Sequence, residues 1–338
     1  MSDSKTTLPG NPGKSGFAEA DPLAAPSRPA PLRVLHESEV LAEEIDALGH
    51  MNVRFYGSRA LASTDRLLAE LGVSAGDFGA TTPLAYELPR LFTRYQREQH
   101  TGSPLVVMGG LLDVSDEGLR FYHELRNPER DELAASFVHD LRLRVPGEDE
   151  SLEIPDSVRK ELEASRIEFP ERGRPRSIDL DRAPVAPSFD DAIAGGLAFR
   201  MPRPVEANDC DAEGRLSAEM RPFYMWGGDP IPPLSRVDGP PLVELPDGEK
   251  MGWASMETRS VMVEQPVAGM RVQSFCATVE IARKTNLRRY WVYDVDTKRL
   301  LLSNEVVELA LHLGQRRAIE IPEEIRSEME MKLRADLR

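Results

Sequence analysis

Apolar side chains recur at near-helical spacing from residue 52 to 71, at Val53, Tyr56, Ala60, Leu61, Leu67, Leu68 and Leu71, and Gly72 ends the run. That spacing predicts one helix with a glycine stop. From residue 84 the pattern becomes extended: Leu84–Gln99, Leu105–Val114, Leu119–Leu125 and Leu133–Val145 are parted by Gly102-Ser103-Pro104, Asp116-Glu117-Gly118 and Asn127-Pro128. Runs of this kind between turn-forming residues predict antiparallel hairpins. Arg33–Ala42 reads as an opening strand, so the first part of the chain is strand, loop, helix and four strands.

The order then repeats. Leu197–Glu206 is extended, a helix starts near Leu216, and runs follow at Ala254–Glu264, Arg271–Arg283, Arg288–Val295 and Leu300–Leu313. Asp46-Ala47-Leu48-Gly49 recurs as Asp211-Ala212-Glu213-Gly214, and Thr93-Arg94 recurs as Thr258-Arg259 at the same offset; Ile154-Pro155 recurs as Ile321-Pro322 with almost no slippage. An offset close to half the chain marks a duplicated domain, not a solenoid repeat. The second copy carries a Pro/Gly-rich stretch at 227–248, which predicts a shorter helix with a long loop after it.

The boundaries expected are a disordered leader at 1–31, a first domain at 32–150, a linker at 151–196 with a short helix at Asp156–Ala164, a second domain at 197–321 and a helical tail at 322–338. The leader is rich in Pro, Ala, Gly and Ser and lacks periodicity. The class is α+β, each copy a strongly curved antiparallel sheet wrapped round a central helix.

A net charge of −15 opposes nucleic acid or an anionic membrane as a partner. There is no run of about 18 apolar residues and no signal-peptide pattern. Cys210 and Cys276 have no metal-ligand spacing and make no disulfide framework, so a reducing, cytoplasmic compartment is expected and no metal is.

The segment Asp46-Ala47-Leu48-Gly49-His50-Met51-Asn52-Val53-Arg54-Phe55-Tyr56 resembles the Asp-x-x-Gly-His-x-Asn-x-x-x-Tyr signature of the 4-hydroxybenzoyl-CoA thioesterase family and its acyl-acyl-carrier-protein thioesterase relatives, which are hotdog folds. The resemblance implies a tandem double hotdog acting on acyl-CoA or acyl carrier protein, with coenzyme A only as part of the substrate and no separate cofactor. It implies Asp46 as base or nucleophile, with His50 and Asn52 shaping the loop or binding substrate. Single hotdog domains commonly pair, so the two copies are expected to pair within one chain, with Asp46 at their seam; a homo-oligomer is also compatible with the chain. In fused plant-type relatives the catalytic residues lie in the second copy, whereas here the intact motif is in the first.

The residue types also suit the chemistry on their own terms. Thioester hydrolysis needs a carboxylate to activate water or attack the carbonyl, and donors where oxygen turns negative. Asp46 offers the first, and Gly49 and the free amides of a helix starting near residues 50–52 the second. Asp46 could instead simply cap that helix, His50 could be a core or helix-end histidine, and Tyr56 could belong to the core. Asp65, inside the helix, is the second candidate carboxylate, against a solvated surface charge.

The second copy keeps Asp211 but replaces His50 by Arg215 and Asn52 by Ser217, which fits either a degenerate loop with Asp211 paired to Arg215 or a pocket for an anionic group. Arg283, Lys284, Arg288 and Arg289 form the densest basic cluster and could hold coenzyme A phosphates, or be an exposed turn. The activity expected is hydrolysis of acyl-CoA to free acid and CoA. The alternatives are a hotdog hydratase or dehydratase on 3-hydroxyacyl thioesters, whose usual Asp-x-Asn-x-x-His spacing is absent, and a non-catalytic acyl-CoA-binding protein.

Overall fold

The computed structural model describes residues 29–46, 48–116, 118–226 and 242–338; the leader expected at 1–31 and the loop expected at 227–248 lie mostly outside these. The chain divides into two compact units, one ending at Asp181 and the other beginning at Arg182.

In the first unit, β1 (Arg33–Glu39), β2 (Ala85–Tyr95), β3 (Pro104–Val114), β4 (Leu119–Asn127) and β5 (Glu132–Arg144) form an antiparallel array in the order β1-β3-β4-β5-β2. Alternation puts Phe121, His123 and Leu125 of β4 on one face and Arg120, Tyr122 and Glu124 on the other. The first face is covered by helix: Leu125, Ala135 and Phe137 join Met51, Tyr56 and Ala60 in one buried cluster.

The helix expected over 52–71 is two helices, α1 (Val53–Ala62) and α2 (Thr64–Glu70), with a turn at Ser63. The Ser63 hydroxyl donates back to the Arg59 carbonyl at 2.8 Å, a bond that bends helices. The buried stripe nevertheless continues through both, at Tyr56, Ala60, Thr64 and Leu67.

The opposite face of this sheet is polar and is strapped by the segment after α3 (Asp156–Glu163). Arg120 binds Asp140 through two bonds of 2.6 and 2.9 Å and reaches Asp181 at 2.7 Å, and Arg172 grips both oxygens of Glu124 at 2.9 Å. Arg94 donates to the Arg172 and Arg174 carbonyls at 3.2 and 2.7 Å. Gly173 lets the strap pass over Tyr122, because a Cβ there would collide with the Tyr122 hydroxyl.

The second unit opens with α4 (Phe189–Ala194), a helix capped by Ser188 inside the segment expected to be linker. The extended run expected at 197–206 contains only the two-residue strands β6 (Ala198–Phe199) and β7 (Arg203–Pro204). Its helix is α5 (Arg221–Trp226), short as expected, preceded by a 3-10 turn at Ala218–Met220. After β8 (Val243–Glu244) come β9 (Lys250–Met262), β10 (Arg271–Ile281), β11 (Thr285–Asp294) and β12 (Leu300–His312), in the antiparallel order β9-β12-β11-β10, then β13 (Arg317–Ala318) and α6 (Glu323–Met331).

Tyr224 and Met225 of α5 pack with Val272, Tyr290, Val292, Leu302 and Val306. On the other face, Phe189 of α4 meets Phe275 and Tyr293 edge-on, at 5.5 and 5.8 Å between ring centres. Arg259 donates to the Arg182 carbonyl. The repeated Thr-Arg pair therefore has one job in both units: its guanidinium anchors a connecting segment by backbone carbonyls. Among the described residues no helix is long and apolar enough to cross a membrane.

Candidate functional site

Residues 45–52 form a tight loop closed by an antiparallel bridge between Ile45 and Met51. Within it the Asp46 amide donates to the His50 carbonyl, and the Gly49 amide to the Asp46 carbonyl, each at 3.0 Å. Gly49 sits at φ +82°, which a side chain would strain, and the space where a Cβ would lie is open. The half-buried Asp46 carboxylate uses both oxygens inside the loop. Its Oδ1 accepts the Leu48 amide at 2.8 Å and its Oδ2 the Asn52 side-chain amide at 3.3 Å.

The helix cap is Asn52, not Asp46. Asn52 Oδ1 accepts the Arg54 amide at 3.0 Å, and its carbonyl accepts the Phe55 amide at 3.0 Å. Among the described residues this leaves the Val53 amide of the first turn, and the His50 amide before it, without a protein acceptor. Both lie at the positive end of α1.

His50 donates from Nδ1 to the Met51 carbonyl at 3.1 Å, and since a carbonyl only accepts, the proton sits on Nδ1. Its Nε2 lies 3.8 Å from Glu98 Oε1. His100 Nδ1 donates to the Gly49 carbonyl at 3.1 Å, and the Met51 amide to the Gln99 carbonyl at 2.8 Å. Glu98 and His100, just past the end of β2, thus join Asp46, His50 and Asn52 around the loop. Their sequence position gives no sign of it, because only the fold brings them there.

A buried ion pair fixes the frame. Glu44 offers its carbonyl to the Asn52 amide at 2.8 Å, while its Oε2 takes the Leu41 amide at 3.0 Å and Arg59 Nη2 at 2.7 Å. Arg59 also reaches Ser38, Glu39 and Phe55, which ties α1 to the opening strand.

Other sequence candidates fall elsewhere. Tyr56 is core: its hydroxyl donates to the Arg97 carbonyl and accepts the Gln99 amide, at 3.1 and 3.0 Å, so it is committed to backbone and is not a substrate ligand. Asp65 is exposed on α2 and bonded to Tyr86, the surface-charge alternative. Burial, then the charge of Asp65, raises the Tyr86 hydroxyl pKa.

The basic cluster is not one site. Arg288 and Arg289 are successive residues of β11 and face opposite sides of the sheet. Arg289 binds Glu305 at 2.7 Å and Arg288 lies over the Tyr290 ring beside Cys276, while exposed Arg283 pairs with Glu320 and Lys284 donates to the Ala318 carbonyl.

The Asp211 loop repeats the Asp46 loop bond for bond. Cys210 bridges Leu216, the Asp211 amide donates to the Arg215 carbonyl at 2.8 Å, the Gly214 amide to the Asp211 carbonyl at 3.0 Å, and the Ser217 amide to the Asp209 carbonyl at 3.0 Å. Two bonds differ: Asp211 Oδ1 also accepts the Arg215 amide at 2.9 Å, the position whose counterpart at His50 is open, and Ser217 has no side-chain amide to match the bond from Asn52 to Asp46 Oδ2. The Arg215 guanidinium lies 3.7 Å from Glu213, and Asp211 receives the Arg215 backbone amide.

Comparisons with known proteins bear on the fold that carries this loop. Residues 40–162 match the family model described as the Thioesterase-like superfamily. No curated protein matches the chain. An acyl-ACP thioesterase structure from Bacteroides thetaiotaomicron superimposes with a TM-score of 0.60 at 10% identity, covering 82% of this chain and 97% of that one. A putative oleoyl thioesterase from Lactobacillus plantarum gives 0.58 at 10% identity over 83% and 97%. A 12:0-ACP thioesterase from Umbellularia californica gives 0.58 at 9% over 82% and 94%. These likenesses show a tandem hotdog fold, and residues 40–162 are the part of the chain that matches the thioesterase-like family model.

Proposed function

We propose that the chain is a thioester hydrolase that splits an acyl-CoA into free acid and CoA, and that the first copy does the chemistry. The observation that carries this reading is the pairing of a fixed carboxylate with uncommitted amides: Asp46 is held by the Leu48 amide and the Asn52 side chain, in the same loop as the open His50 and Val53 N–H groups at the start of α1. The three full-length structural likenesses are to proteins described as thioesterases, which supports the same class.

In this reading the thioester carbonyl oxygen accepts from the open amides, whose dipoles are in place before the reaction and need no reorganisation. Asp46 takes a proton from water as the water oxygen attacks the carbonyl carbon, or attacks that carbon itself to give an anhydride that water then opens. The carbon–sulfur bond breaks, the thiolate leaves, and the proton held at Asp46 goes to sulfur. His50 stands beside the attacking water, its Nε2 3.8 Å from Glu98 Oε1. The Asp211 loop lacks the open amide and is assigned a structural role.

The test is thiol release from one acyl group carried on CoA and on acyl carrier protein. Release from CoA with the higher kcat/KM supports the proposal. Preference for the protein carrier overturns the choice of carrier, and release from neither overturns the activity.

A further inference from the structure

The interior of the first unit holds polar atoms that the chemistry at Asp46 does not use. His123 is fully buried, and neither ring nitrogen has a hydrogen-bond partner. The Thr64 hydroxyl is fully buried and unpartnered as well. A buried donor or acceptor without a partner carries its full desolvation penalty, so two such side chains in one apolar interior call for a ligand group or water.

Both point to the same layer. His123 shares its face of β4 with Leu125, which packs on Met51, Tyr56 and Ala60. Thr64 continues the buried stripe of Tyr56 and Ala60 on the helix over that face. The sheet makes room for the imidazole: His123 pairs across from Gly109, where a Cβ would come within 2.9 Å of the ring. Phe121 and Phe137 flank it, and the His139 ring centre lies 5.2 Å away. Burial drives the His123 pKa from 6.5 down to about 3, so the ring is neutral and offers one N–H and one lone pair.

The layer leads back to the loop. Asn127, further along β4, holds Gln99, whose carbonyl receives the Met51 amide. At strand rise, His123 lies about 13 Å along β4 from that point.

We propose that His123 and Thr64 recognise a hydroxyl group on the acyl chain, remote from the thioester, so that the substrate class is hydroxyacyl thioesters. This rests on the thioesterase reading for the chain's route inward from Asp46. A hydroxyl both donates and accepts, matching a neutral imidazole and a threonine hydroxyl. A site built to bond a substrate hydroxyl discriminates strongly against the analogue that lacks it, because its own polar groups then stay unpaired.

The experiment compares acyl-CoAs of equal length, unsubstituted or hydroxylated at successive positions, by kcat/KM, and in parallel titrates the free acids by calorimetry, which needs no turnover. At one hydroxyl position the hydroxylated member should lead at least tenfold in both measurements, and His123→Leu and the near-isosteric Thr64→Val should each cut that ratio at least fivefold. Equal or better handling of unsubstituted chains at every position overturns the inference and leaves water as the occupant. So do ratios that both variants leave unchanged. If no thioester is hydrolysed but hydroxy acids still bind tenfold tighter, the recognition stands and the hydrolase reading falls.

Discussion

Asp46 and Asp211 sit in equivalent loops of the two copies and differ in two contacts: Asp46 Oδ2 accepts the Asn52 side-chain amide at 3.3 Å, whereas Asp211 Oδ1, besides the Glu213 amide, accepts the Arg215 amide at 2.9 Å. Ser217 replaces Asn52 and is too short to offer a side-chain amide. The carboxylate then closes on the backbone, and the donor left open beside His50 in the first copy is spent in the second.

Asn52 does two things, and two substitutions separate them. Asn52→Ala removes the cap on Arg54 and should cost about 1 kcal/mol of stability. Asn52→Asp keeps a capping oxygen but sets a second carboxylate against Asp46, so melting should stay near wild type while kcat falls at least tenfold. Thermal unfolding alongside kcat checks both, and equal losses of stability in the two variants would refute the division.

The Arg59–Glu44 pair is buried on both sides, with side chains 10% and 9% exposed. Removing one partner leaves an uncompensated charge, so Arg59→Met should destabilise the protein by about 3 kcal/mol in urea unfolding. Activity should fall with it, because Glu44 also holds the Asn52 amide.

Acid should weaken the fold through His123. Its pKa is about 3 in the folded chain against 6.5 ordinarily, so the unfolded chain binds the extra proton. This contribution is intact above pH 6.5 and is lost as pH falls from there toward 3, by up to about 1.4 kcal/mol per pH unit. Unfolding free energy measured from pH 7.5 to 4.5 should decline less steeply in His123→Leu than in wild type. Parallel curves would contradict the assignment.

The strands, the duplication and the Asp46 loop are legible in the sequence because each is local: alternating runs between turn residues, or a short motif stated twice. What is not legible depends on contacts between distant residues. Glu98 and His100 lie far along the chain from Asp46, beyond both helices and β2, and only the fold returns them to the loop. The break at Ser63 comes from one hydroxyl choosing the Arg59 carbonyl, which periodicity does not register. The short helix at Phe189–Ala194 spans too few residues to show a pattern and is held by Phe275 and Tyr293. The basic cluster misleads because adjacent strand residues point apart, which sends Arg288 and Arg289 to different faces.

The most direct test measures kcat/KM for acyl-CoA thiol release in Asp46→Asn and Asp211→Asn, with circular dichroism to confirm folding. Loss of the carboxylate at position 46 should lower it by about 10²–10⁴-fold, and the change at 211 should leave it within about threefold. Equal effects of the two substitutions, or near-normal hydrolysis by a folded Asp46→Asn protein, would contradict the assignment of the chemistry to the first copy.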